Sequence, residues 1–248
     1  MRIALMTDPH TGSENDHPFD IDLRKNFTDV LSKIVSEKPD LLVIGGDLCL
    51  QSGDGSIYQW QRDVLEKSGL KYHIIPGNHD SSTLLVEVFD QLPRLRNSEL
   101  FYAEQNHQST MIFLDTSKGS MSEVQKKWLA DQLKEQASQI LIFMHHPPDL
   151  MNVPHMDDRH YLKDKDEVMK ILRGSGRQLH VFCGHYHVDK VVHLGDVHVH
   201  ITPSCYFQID SSQKDFYVDH TNIGYRMINI EKDRMETSVH YLNGNLAR

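Results

Sequence analysis

The chain is 248 residues long, with 39% apolar residues, 25% charged residues and a formal net charge of −9. That is enough chain for one large domain or two small ones and for a core without disulfide staples, and the composition excludes collagen-like, low-complexity and disordered classes. An acidic chain with no basic tract is poorly suited to gripping duplex nucleic acid or an anionic membrane by charge, so neither is expected as a partner.

Arg2–Met6 reads as a strand. Asp20–Ser36 reads as a helix, because Phe27, Val30, Leu31, Ile34 and Val35 recur at i, i+3, i+4, i+7 and i+8. Leu41–Gly45 is a buried strand, Ile57–Leu65 a helix, Tyr72–Ile75 a strand and Ser82–Leu92 a helix. Met111–Leu114 is a further strand, and Ser122-Glu-Val-Gln125 is a capping-box pattern that opens a helix through Trp128, Leu129 and Leu133. Ile140–Met144, Asp164–Leu172 and Leu179–Cys183 follow as strand, helix and strand. After Gly184, Val188–Leu194, Val197–Thr202, Tyr225–Ile230 and Thr237–Leu242 read as short strands with no helices between them. This alternation predicts an α/β fold, and no repeat or linker divides residues 1–248, so they read as a single domain with a β-rich part at 189–248.

Cys49, Cys183 and Cys205 are odd in number and lack CxxC spacing, which fits reduced thiols packed as small core residues in a cytoplasmic protein. The opening MRIALMTD lacks the pattern of a signal peptide, and no apolar run approaches the ~20 residues of a membrane helix. Composition alone does not account for the 17 histidines.

Five apolar strands run into polar side chains: RIALMT into Asp8-Pro-His10, LLVIGG into Asp47, YHIIPG into Asn78-His79-Asp80, ILIFM into His145-His146, and LHVFCG into His185-Tyr-His187. A buried strand has no packing reason to end in an acid, an amide or an imidazole, whereas α/β folds bind ligands in the cleft at the carboxyl ends of their strands. Any one of these blocks alone reads as a polar turn. Five in order would gather two Asp, one Asn and several His around one crevice. Burying that many polar groups requires a compensating charge, and mixed nitrogen and oxygen donors suit Zn, Mn, Fe or Co. Seven donors are too many for one tetrahedral ion. They suit two ions ~3.5–4 Å apart that share a carboxylate, an arrangement that acidifies water and clamps the oxygens of a displacement at phosphorus.

The blocks Asp8-x-His10, Gly46-Asp47, Gly77-Asn78-His79-Asp80, His145-His146-Pro147 and Gly184-His185-x-His187 resemble the calcineurin-like metallophosphoesterase family. LDTSKGSMSEVQKKWL at 114–129, CGHYH at 183–187, TPSCYFQ at 202–208 and IGYRMI at 223–228 resemble its bacterial class III cyclic nucleotide phosphodiesterases. The resemblance implies a four-layer αββα sandwich of two mixed β-sheets flanked by helices, with residues 189–248 completing the second sheet. It implies two divalent or mixed-valence metal ions, with Fe, Mn and Zn not distinguished. Asp8, His10 and His187 would hold one ion, Asn78, His145 and His185 the other, and Asp47 would bridge them. His146 would lie behind the ligands. His79 would face the phosphate, and Asp80 would orient His79 by accepting its hydrogen bond.

The implied reaction is hydrolysis of a small phosphodiester, foremost the cyclic phosphate of 3′,5′-cyclic AMP to give 5′-AMP, by attack of a hydroxide bridging the metals. The alternatives are a phosphomonoesterase, a nucleotide diphosphate hydrolase, a glycerophosphodiesterase, or a non-catalytic metal-bound scaffold that would have no use for His79 and Asp80. A homodimer through the β-rich end is expected by analogy. Residues 149–163, which carry His155, Asp157, Asp158, Arg159 and His160, match no motif; the cluster at 155–160 is expected to be a solvated loop rather than a third metal site, with a lid contacting the substrate as the alternative. His73, His107, His193, His198, His200 and His240 are expected at the surface or on strands.

Overall fold

A computed structural model describes residues 1–105, 109–134, 139–232 and 234–247; His107 lies outside them. In chain order the strands and helices are β1 (Arg2–Met6), α1 (Leu23–Glu37), β2 (Leu41–Ile44), α2 (Gly55–Ser68), β3 (Tyr72–Ile74), α3 (Ser82–Val88), β4 (Leu95–Arg96), β5 (Glu99–Leu100), β6 (Tyr102–Gln105), β7 (Ser109–Phe113), α4 (Glu123–Gln132), β8 (Gln139–Phe143), α5 (Pro154–Arg159), α6 (Lys165–Gly174), β9 (Leu179–Cys183), β10 (Lys190–Leu194), β11 (Val197–Ile201), β12 (Gln208–Ile209), β13 (Val218–His220), β14 (Ile223–Glu231) and β15 (Arg234–Leu242).

Two mixed sheets pack face to face. The first runs β15-β14-β1-β2-β3, with β1, β2 and β3 parallel. The second runs β10-β11-β9-β8-β7-β6, with β7, β8, β9 and β11 parallel. Pleating alternates side chains between faces. Leu141 and Phe143 of β8 therefore join the cluster shared with the first sheet and α1 to α3, while Ile140 and Ile142 join α4 and α6 on the outer side. The layers are helix, sheet, sheet, helix.

Rings from neighbouring strands stack across the inner face of the second sheet. Tyr102 lies 4.6 Å from Phe113, Phe113 5.2 Å from Phe143, Phe143 5.4 Å from Phe182, and Phe182 4.8 Å from His200. His200, expected at the surface or on a strand, is on β11 but buried, because its ring ends this ladder.

Side-chain caps set the helix starts. Asp22 accepts from Lys25 N, Asp54 from Ser56 N, Ser81 from Leu84 N and Ser122 from Gln125 N. The Ser122 capping box is only half formed. The Gln125 amide instead bonds Asp115 N and O, both at 2.8 Å, and Glu99 takes the Ser122 N–H. The helix expected over Ser82–Leu92 stops at Val88, and Asp90 turns the chain with a left-handed φ of 55°.

One expectation is corrected. Residues 189–248 do not all complete the second sheet: β10 and β11 join it, but β14 and β15 pair with β1 in the first sheet. The physical reason is register. Ile228 and Met227 sit opposite Ile3 and Ala4, so the β14 apolar side chains continue the core that β1 begins.

Phe143 is fully buried between two rings, so Phe143→Ala is expected to cost about 3–5 kcal/mol, read as a lower urea midpoint at unchanged slope.

Candidate dinuclear metal centre

The five polar blocks follow β1, β2, β3, β8 and β9. Parallel order in both sheets places all five carboxyl ends on one edge of the sandwich, where the two sheets meet. Asp8 and His145 are fully buried there, Asp47, His10, His185 and His187 are buried, His79 is half-buried and Asn78 is exposed at the rim. Three groups have ligand-capable atoms within 4.8 Å of one another: Asp8, His10 and His187; His10, Asp47 and His79; and Asp47, His145 and His185. All seven expected metal-binding side chains therefore lie in or directly beneath one cavity of about 300 Å³. Asn78, His10, Asp47, His185 and His187 line it, and Asp8 and His145 form the floor.

The carboxylates stitch these loops together. Asp8 accepts from the Thr7 hydroxyl at 2.7 Å and from His185 N at 3.0 Å, and Asp47 accepts from His79 N at 2.8 Å. The approach is close enough to require glycine. A Cβ on Gly77 would fall 2.2 Å from Asp47 Oδ1, and one on Gly184 would fall 2.3 Å from Asp8 Oδ2. The backbone is also strained. Asp8, His10, Asp47, His185 and His187 all have left-handed φ, between 42° and 66°. For residues with a Cβ this conformation is unfavourable and concentrates at functional sites.

The imidazoles are oriented from behind. His145 Nδ1 donates to Gly45 O (2.8 Å), His187 Nδ1 to Phe207 O (3.0 Å) and His185 Nε2 to His160 O (2.9 Å). Each bond leaves the other ring nitrogen turned toward the cluster, as metal-binding histidines require. His145 Nε2 is buried with no properly aligned hydrogen bond, although Asp47 Oδ2 is 3.2 Å away, and His10 Nε2 faces His187 Nε2 at 3.2 Å.

Electrostatics tell the same story. Burial opposes charge on Asp8, but His187 and His145 hold its carboxyl down to about 2. Burial likewise opposes charge on Asp47, and His145 and His10 hold it well below the usual carboxylate range. His145, despite burial, is pushed up to about 9 by Asp47 and Asp8, whereas burial lowers His10 to about 4 and His185 to about 3. Two buried carboxylates demand positive charge between them, and the donor set around them is one a pair of borderline cations accepts.

Asp80 departs from expectation. Its carboxylate accepts from Gly77 N (2.8 Å), Leu48 N (3.1 Å), Cys49 N (3.2 Å) and the Tyr58 hydroxyl (3.0 Å). It makes no hydrogen bond to the His79 ring among the described residues, and His79 Nδ1 is buried without a partner. The Asp80 side chain is turned onto the backbone of the loop after β2, where these donors occupy both of its oxygens. Asp80 thus clamps the loop after β3 to the loop after β2. His146 packs its ring 4.0 Å from that of His185 and meets the Thr116 hydroxyl at 3.0 Å. The three thiols are buried and unpaired, and burial pushes Cys49 up to about 12, so they serve as packing.

Sequence reasoning held one wall of the cavity only as an alternative and missed another. Residues 155–160, expected as a solvated loop, fall on the short helix α5 and its C-cap His160, and His155, Met156 and His160 line the cavity. Asp157 anchors this segment by accepting from Met151 N, Val153 N and the Tyr186 hydroxyl, each at 2.9 Å. The segment carries no apolar periodicity, so nothing local betrays it. The second wall is aromatic: Phe19, Tyr206, Phe207 and Phe216. Phe19 is 58% exposed and held at φ 56°, an unusual state for a bulky residue.

The calcineurin-like phosphoesterase family model matches residues 1–189, and the chain belongs to that family. A Fibrobacter succinogenes protein named "Probable cyclic nucleotide phosphodiesterase" is 32% identical over 98% of this chain and 94% of its own. The glycerophosphodiester phosphodiesterase GpdQ of Enterobacter lignolyticus is 26% identical over 87% of this chain and 81% of its own. A solved dimetal phosphatase from Danio rerio matches with a TM-score of 0.73 at 14% identity, over 98% of this chain and 97% of its own, which establishes the shared fold. The protein is therefore a metal-dependent phosphodiester hydrolase with a dinuclear metal centre, and the three His and carboxylate groups are side chains that could hold its ions. Among the described residues no helix is long and apolar enough to cross a membrane.

Gly77→Ala is expected to push the Asp47 loop away, because its Cβ would meet Asp47 N at 2.4 Å as well as Oδ1, with far-UV circular dichroism checking that the two sheets still form. Displacement of Asp47 by about 1 Å should lower turnover of bis(4-nitrophenyl) phosphate about 100-fold.

Proposed function

We propose that the protein hydrolyses the cyclic phosphate of a 3′,5′-cyclic nucleotide, foremost cyclic AMP, giving the 5′-monophosphate. The observation that carries this is the cavity itself, which joins the metal-site donors to an aromatic wall of Phe19, Tyr206, Phe207 and Phe216. A flat base finds stacking partners there, an interaction worth about 1–3 kcal/mol per base. Asp8, His10 and His187 would hold one ion, Asn78, His145 and His185 the other, and Asp47 would lie between them. When bound, the two ions supply Lewis acidity, lowering the pKa of water and neutralising charge on the phosphoryl oxygens.

The chain's own groups do the rest. Gly45 O, Phe207 O and His160 O fix the ring orientations of His145, His187 and His185. Asp47 fixes the His79 backbone, and the His79 ring stands edge-on to His10 at 4.8 Å, where it borders the cavity. From there it can donate to a phosphoryl oxygen or to the departing 3′ oxygen. Asp80 holds the His79 turn against the Asp47 loop rather than the His79 ring.

A glycerophosphodiester is the second reading, favoured by the likeness to GpdQ across most of both chains. It has no flat ring for the aromatic wall. With Mn²⁺ supplied, chromatography is expected to show AMP formed from cyclic AMP at a higher kcat/KM than glycerol phosphate from glycerophosphocholine; the reverse order replaces the first reading with the second. His79→Ala is expected to retain two ions per chain by elemental analysis while losing about 10²–10³ in kcat. Loss of metal instead would make His79 a ligand.

A further inference from the structure

Besides the half-buried His79, the described residues leave one more cavity imidazole, the buried His155, with a ring nitrogen that has nothing to bond. His10, His185 and His187 are buried at the cavity and the ring of each has a protein partner: His185 donates to His160 O, His187 donates to Phe207 O, and His10 Nε2 faces His187 Nε2. His155 is equally buried, at 6% exposure, and lines the same cavity. Its Nδ1 has no partner, and among the described residues no hydrogen bond reaches its ring. Its ring neighbours are other rings: His160 at 5.4 Å and Phe216 at 5.7 Å. An unsatisfied buried polar group is unfavourable in a folded protein and calls for an explanation.

His155 is not loose. Asp157, two residues on, ties α5 to the backbone at Met151 and Val153 and to the hydroxyl of Tyr186, which sits between His185 and His187. The carbonyl of His160, at the end of the same helix, accepts from His185. The helix is thus registered against the metal-site loop at two points, and it presents His155 beside the rim aromatic Phe216, itself 43% exposed. Phe216 packs with Phe207 at 5.7 Å and with Phe19 at 6.4 Å. A heteroaromatic ring lying on this wall would bring its edge to His155. With no protein contact fixing the tautomer, that imidazole can offer either a donor or an acceptor.

We propose that His155 is a specificity-determining residue that hydrogen-bonds the heteroatom edge of the substrate's base, so that α5 reads the nucleoside while the metal centre takes the phosphate. This rests on the cyclic-nucleotide reading above. Binding by paired hydrogen bonds discriminates against substrates that leave such a group unsatisfied.

The experiment compares kcat/KM of wild type, His155→Ala and His155→Gln on cyclic AMP, 2′-deoxy cyclic AMP and bis(4-nitrophenyl) phosphate, with metal content measured for each. For His155→Ala the ratio of cyclic AMP to aryl phosphodiester activity is expected to fall at least about tenfold, mainly through KM. 2′-Deoxy cyclic AMP should show the same fall, His155→Gln should restore part of the ratio, and metal content should not change. An equal loss on cyclic AMP and the aryl ester, or loss of metal, would mean that His155 only supports α5 and would overturn the proposal. An unchanged ratio in both variants overturns it as well. A fall that vanishes with the 2′-deoxy substrate would assign the contact to the ribose and overturn the base assignment. If wild type cleaves the aryl ester but no cyclic nucleotide, the cyclic-nucleotide reading itself fails and takes this proposal with it.

Discussion

Asp8 and Asp47 bury two carboxylates, 0% and 2% exposed, within 4 Å of the same His145 nitrogen, and the rest of the structure answers that constraint. Each carboxylate raises the cost of ionising the other, and burial raises it further. The cost is met by hydrogen bonds from Thr7, His185 N and His79 N and by positive charge gathered between them. Such charge has to come from several directions at once. Two mixed sheets packed face to face supply those directions, because the carboxyl ends of five of their strands can each deliver one loop.

Crowding five loops into so small a space has a conformational cost. Asp8, His10, Asp47, His185 and His187 sit in the left-handed region, which is unfavourable by about 1–2 kcal/mol each for residues with a Cβ. The loops stay there because they are held from several sides: Gly77 and Gly184 allow close approach, Asp80 clamps two turns, and backbone carbonyls lock three imidazoles. Rigidity of this kind suits a site that must hold its donors in place before a ligand arrives.

What could be read from the sequence follows from where the information lies. A run such as LLVIGG ending in Asp47 is a local contradiction, an apolar strand with a polar terminus, so the strands and the gathering of their polar ends around one cavity were legible together. Asp80 was placed correctly but its hydrogen-bond partners were not, because Leu48 and Cys49 are more than thirty residues away and only the fold brings their N–H groups beneath it. The short helix α5 has too few residues to show a period, and its anchor, Asp157 to Tyr186, spans 29 positions. The destination of β14 and β15 was equally hidden. Alternating apolar residues mark a strand, but they do not say which sheet has a free edge for it.

That last pairing shapes how the chain can be made. β1 carries Asp8 and His10 at its end, yet one of its edges is closed only by β14, more than two hundred residues later. A chain emerging from the ribosome therefore displays an unpaired edge until β14 has been synthesised, and such edges invite mispairing. The strand that leads into Asp8 and His10 is correspondingly paired on both edges only when the β14–β15 hairpin docks, its other edge being held by β2.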